Sequence, residues 1–157
     1  MAIEERIPGI APIIACLAPH DALAKLCPDL QDWPQSWRCE PSDIALGQRI
    51  VTFIKPFLLH LLGQDLATKT LRRHRDHLWM LGGEIIRRRH ENSTLRRIAI
   101  ENVLLHLLND AGGPLIWPRL SEQQQDAFDA TCRKLYRFLN TSANKPRRTA
   151  KTTHEFR

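Results

Sequence analysis

No stretch of this chain alternates apolar and polar residues long enough to make a strand. LIW at 115–117, shut between Pro114 and Pro118, is too short to found a sheet. Short cysteine pairing is also missing. Cys16, Cys27, Cys39 and Cys132 lie far apart, without the close spacing of a zinc site, which suits reduced thiols used mostly for packing in a cytoplasmic protein. The apolar run at 10–18 is broken by Pro12, closed by Pro19 and preceded by Glu4 and Glu5, so neither a secretory leader nor a membrane span is expected there. The Gly-Gly pairs at 82–83 and 112–113 lack the lysine and hydroxyl context of a phosphate-binding loop, and no serine sits in a nucleophile elbow. These absences exclude the common phosphate-loop and serine-hydrolase classes, and no cofactor or metal is expected.

What the chain does have is helical periodicity and unevenly placed charge. Its 157 residues fit one domain, and a domain of this size buries roughly 70% of its unfolded surface. Six of the ten prolines fall in the first 41 residues, so this stretch reads as an irregular arm with only short helical turns, HDALAKLC at 20–27 among them. Trp33 and Trp37 are expected to pin the arm to the body by burying aromatic surface.

From Ser42 onward the pattern is helical. Ser42 is placed to cap a first helix on which Ile44, Ile50, Ile54, Phe57, Leu58, Leu61 and Leu62 recur at intervals of three and four, with a kink expected at Pro56 and an end near Gly63. A second helix is expected from Thr68 or Thr70 to about His90, and a third from about Thr94 to Asn109. The fourth starts at Ser121, where Ser121 and Gln124 form a capping box, and turns Phe128, Cys132, Leu135, Phe138 and Leu139 inward. The expected fold is all-α: a bundle of about four main helices over 42–140, the arm at 1–41, and a flexible basic tail at 141–157.

The formal net charge is +6. Between Lys69 and Arg97 there are nine basic and three acidic side chains, and from Thr141 to Arg157 five and one, so the remaining chain is mildly acidic. Basic segments on an acidic body point to a polyanion or to an acidic protein surface. At 100° per residue, Leu71, His74, Leu78, Leu81, Gly82 and Ile85 gather on one side of the second helix, and Arg72, Arg73 and Arg87 on the other. Each glycine costs about 1 kcal/mol relative to alanine within a helix, so Gly82 is expected where a neighbouring element approaches closely. Arg75 and Arg89 fall near the core face and are expected to meet carboxylates from other helices, with Asp43, Asp65, Glu101 and Asp110 as sources.

These features support a non-catalytic protein that binds nucleic-acid backbone, DNA or RNA, through Arg72, Arg73, Arg87, Arg88, Lys145, Arg147, Arg148 and Lys151, with no membrane involvement. A helical adaptor that meets an acidic protein surface is the alternative. His74 and His77, three apart, could offer two imidazoles to zinc, but no third ligand is identifiable.

Arg72 and His77 also form R-x4-H, which resembles the short catalytic motif of the HEPN ribonucleases, small all-helical proteins whose arginine and histidine from two protomers act on RNA at a dimer interface. The resemblance covers six residues and implies ribonuclease activity as a further alternative. The sequence departs from it at Arg73, where the family favours another polar residue, and a helix would set Arg72 and His77 about 140° apart.

Overall fold

The computed structural model describes residues 19–155, with side chains over 19–141. The described chain is all-helical: α1 (Pro19–Leu26), a 3-10 turn (Leu30–Asp32), α2 (Trp33–Trp37), α3 (Asp43–Leu62), α4 (Thr68–Glu91), a second 3-10 segment (Ser93–Arg97), α5 (Ile100–Leu107) and α6 (Glu122–Glu155). Among the described residues no strand forms, and β pairing is limited to a bridge between Asn109 and Gly112.

Helices α3 and α4 are central. α3 packs against α1, α2, α4 and α5, while α4 packs against α1, α2, α3 and α6. Ile50, Ile54, Phe57, Leu58 and Leu61 of α3 are buried, as their spacing requires, while Ile44 and Leu62 are half-covered. α3 has the length and apolarity of a membrane span, and 33% of that span is buried inside the fold. On α4, Leu71, His74, Leu78, Leu81, Gly82 and Ile85 are all buried.

The arm is anchored by its tryptophans. Trp33 and Trp37 are buried, with ring centroids 5.8 Å apart. The Trp37 ring lies over Gly82, in the space that a side chain there would fill, and its Nε1 donates to the Trp79 carbonyl at 2.9 Å. Gly82 and Gly83 thus form a seat for an indole within one continuous helix. A second close approach sets Gly47 of α3 against Pro34, where an added Cβ would lie 2.8 Å from the proline Cα. Residues 1–18 of the arm lie outside the described residues.

Four local expectations need correction. Ser42 stands at the N-cap of α3, but its hydroxyl donates to Glu40 at 3.0 Å; Asp43 instead accepts the Cys39 and Glu40 N–H groups. The third helix is interrupted: Asn92 accepts the Thr94 N–H, a 3-10 segment follows, and extended backbone at Ile98 and Ala99 separates it from the eight residues of α5. α5 ends at Leu107, before a turn in which Asn109 accepts the Ala111 N–H and Gly112 takes φ 144°, a conformation that suits glycine. Finally, α6 does not stop near residue 140. Helical backbone continues to Glu155, through Pro146, over the segment expected to be flexible. The capping box at Ser121 and Gln124 forms as expected, with reciprocal bonds of 3.0 and 3.1 Å.

Candidate nucleic-acid interface

The basic helix α4 separates its arginines into two groups. Arg72 and Arg73 are exposed, and no carboxylate meets them among the described residues. Arg87 and Arg88 behave differently from the outward cations that their sequence positions suggest. Glu84, almost fully buried, accepts from Arg87 Nη2 at 2.6 Å, Arg88 Nε at 2.6 Å and the Trp117 N–H at 3.2 Å. Arg87 also reaches Glu91 at 2.7 Å, and Arg88 donates to the Leu115 carbonyl at 2.9 Å. Burial alone would raise the Glu84 pKa; the bonds from Arg87, Arg88 and Trp117 outweigh it and hold the carboxyl below its ordinary value. Arg88 and Glu84 fasten the 115–117 connector to α4, and Arg87 holds Glu84 in place. The signal was present in the sequence, since Glu84 lies three and four residues before the two arginines, the spacing of helical ion pairs.

Arg75 also departs from expectation. It donates to its neighbour Asp76 at 2.9 Å and to the Leu26 carbonyl at 2.9 Å, rather than to a carboxylate from another helix. Two of the expected sources are engaged elsewhere, Asp43 with His90 and Glu101 with Arg49. Arg89 makes no ion pair among the described residues.

His74 and His77 both turn Nδ1 to the buried hydroxyl of Thr131 on α6, each at 2.7 Å. One hydroxyl proton serves two rings, so Thr131 donates to one imidazole and accepts an N–H from the other. His74 Nε2 is buried without a partner. An unmatched N–H there would cost more than an unmatched lone pair, which favours His74 as the Nδ1–H donor and His77 as the acceptor. Burial, then Lys134, His77 and Arg73, push the His74 pKa down to about 4. The spacing that would offer two rings to zinc serves an interhelical hydrogen bond here. His77 also meets Phe128 edge-on, whereas Arg72 is exposed, so within one chain the R-x4-H pair does not aim at one point.

The positive charges of Lys134 on α6 and Arg73 on α4 both oppose protonation of His74. Beside Lys134 an open cleft of about 390 Å³ is lined by His60, Gln64, Lys134, Arg137, Phe138 and Thr141, above Phe57 and Leu61. Its floor is aromatic: the His60 ring lies 4.8 Å from Phe138 and 6.3 Å from Phe57. The lining includes lysine and arginine but no carboxylate. Lys134 and Arg137 thus give this cleft a lining of one sign. Lys134 and Arg137 were missed in the sequence because only the inward positions of that helix were assigned. Lys145, Arg147, Arg148 and Lys151 stand on the further α6 backbone, beyond the described side chains.

A second concave region, of about 500 Å³, lies between α4 and the 116–120 connector, lined by Trp79, Met80, Glu84, Arg87, Trp117 and Arg119 among others. Trp117 is 65% exposed, Leu115 67% and Trp79 43%. Across this region and the adjoining one Arg87, Arg88 and Arg119 face Glu84, Glu122 and Asp126, so charge is balanced there. Compared with family models, curated proteins and solved structures, the chain matches none of them.

Proposed function

We propose that this protein is a non-catalytic binder of nucleic-acid backbone, whose contact surface consists of Arg72, Arg73, Lys134 and Arg137 and is extended by the cations at 145–151. The observation that carries this reading is the cleft on α3 and α6, which holds two cationic side chains and no carboxylate; exposed Arg72 and Arg73 at the start of α4 are added to it by the proposal. Phosphate contacts supply most sequence-independent affinity and need only positive side chains at roughly phosphate spacing. A reducing, cytoplasmic setting belongs to the same proposal.

The test reverses charge at Arg72, Arg73, Lys134 and Arg137 together and measures binding to duplex DNA and to single-stranded RNA at two salt concentrations. Affinity at low salt should fall at least tenfold, and the salt slope should flatten by about one unit for each phosphate that the variant no longer neutralises, with helicity unchanged. A wild-type protein that binds neither polymer at low salt, or a variant that binds as well as wild type, removes the reading. The exposed trio Trp79, Leu115 and Trp117 around a charge-balanced cleft favours a second reading, a helical adaptor to another protein. Its signature is a shallow salt dependence and a defined stoichiometry with that partner.

A further inference from the structure

Three parts of the chain meet at the N-terminus of α3: the turn after α2, the first residue of α3 and the last turn of α4. Asp43 is buried there, 1% exposed. Its Oδ2 accepts the Cys39 N–H at 2.7 Å and the Glu40 N–H at 3.0 Å, and lies 2.8 Å from His90 Nε2. The Cys39 sulfur, an Asp43 carboxylate oxygen and a His90 ring nitrogen all lie within 4.8 Å of one another. Cys39 is exposed, so the group opens to solvent on one side.

We propose that Cys39, Asp43 and His90 form a mononuclear site for Zn²⁺, with a fourth position facing solvent. Thiolate, imidazole and carboxylate are the donor types zinc takes, and a thiolate argues against the hard cations Mg²⁺ and Ca²⁺. Zinc–ligand distances of about 2.0–2.3 Å in tetrahedral arrangement set neighbouring ligand atoms roughly 3.3–3.8 Å apart. Binding therefore draws the widest separation in by up to about 1 Å, a movement open to Cys39 on its exposed turn, and parts His90 Nε2 from Asp43 Oδ2, now 2.8 Å apart, by about 0.5 Å. The two backbone N–H groups on Asp43 hold the carboxylate in place, the role that outer partners play around metal ligands. Zn²⁺ displaces the thiol proton to form the zinc–sulfur bond. The thiol proton is released to solvent, the proton that now lies between His90 Nε2 and Asp43 passes to Nδ1 by exchange with solvent, and the ring binds through the freed Nε2 lone pair; no group is oxidised or reduced.

This site lies apart from the surface proposed for nucleic acid, and its test is independent of that reading. The full-length protein, stripped of metal by a chelator, is titrated with Co²⁺ and then with Zn²⁺. One equivalent of Co²⁺ should produce thiolate-to-cobalt charge-transfer absorption and tetrahedral d–d bands, both abolished by Zn²⁺. Cys39→Ser should remove the charge-transfer band and weaken Zn²⁺ binding at least tenfold. His90→Gln should weaken it similarly, and Zn²⁺ should raise the melting temperature of wild type but not of Cys39→Ser. Should His90→Gln fail to fold, Cys39→Ser decides, because the Cys39 side chain is exposed. A wild-type protein without the thiolate band, or Cys39→Ser with wild-type affinity, overturns the proposal and leaves Asp43 and His90 as a tether between α3 and α4.

Discussion

Gly82→Ala is expected to destabilise the protein by about 2–4 kcal/mol, although alanine is the better helix former. A Cβ at position 82 falls on the six-membered ring of Trp37, well inside van der Waals contact with Cζ2, Cη2 and Cε2. The obstruction is the rigid centre of a buried indole rather than the end of a flexible chain, so the ring must leave its seat and its bond to the Trp79 carbonyl. Emptying a buried tryptophan site costs about 3–5 kcal/mol, and the gain in helix propensity returns about 1 kcal/mol. Urea unfolding of Gly82→Ala, Trp37→Ala and the double variant measures the effect. The double variant should cost clearly less than the two single changes added together, because both disrupt the same packing. Gly82→Ala at or above wild-type stability would show that Trp37 does not occupy this seat.

Acid should weaken the protein through His74. The folded-state pKa is lowered from 6.5 to about 4 by burial, assisted by Lys134, His77 and Arg73. Between those values the unfolded chain binds a proton at this residue and the folded chain does not, so stability falls as pH drops from 6.5 towards 4. At about 1.4 kcal/mol per unit, the loss attributable to His74 is on the order of 3 kcal/mol. His74→Leu keeps an apolar filling against α6, leaves Thr131 to His77 and removes the titration. Stability measured by urea unfolding across this pH range should therefore fall less steeply in His74→Leu than in wild type. Parallel curves would show that His74 takes its proton without opposing the fold.

The core was legible in the sequence where one periodicity decided it. The inward side of α4 follows directly from 3.6-residue spacing, and Gly82 within it could be read as a place of close approach because its helical cost needed a reason. That the approaching element is Trp37 was not legible as a pair, although each residue was marked separately. Arg87 shows the limit of a helical wheel. The wheel places its Cα outward, but a long side chain bends back to a carboxylate one turn away, so outward position and free charge are different properties. The third helix failed for a different reason. Its apolar residues keep helical spacing, while the backbone at Ile98 and Ala99 is extended, a break that spacing does not record. His74 with Thr131, and Cys39 with His90, are brought together only by the packing of separate segments, and neither pairing has a local pattern.

The placement of the tryptophans also gives the molecule an optical signature. All four are accounted for: Trp33 and Trp37 inside, Trp79 and Trp117 at 43% and 65% exposure. Emission from the buried pair lies to the blue and is shielded from acrylamide, while emission from the exposed pair lies to the red and is quenched. The inner indoles, 5.8 Å apart and tilted by 54°, are close enough for their transitions to couple, so near-ultraviolet circular dichroism carries a band that depends on the arm being seated. The outer indoles flank the charge-balanced cleft and respond to whatever enters it. Trp79 also donates to Ser36 of the arm at 2.9 Å, so Trp117 is the indole whose emission reports on the cleft apart from the arm.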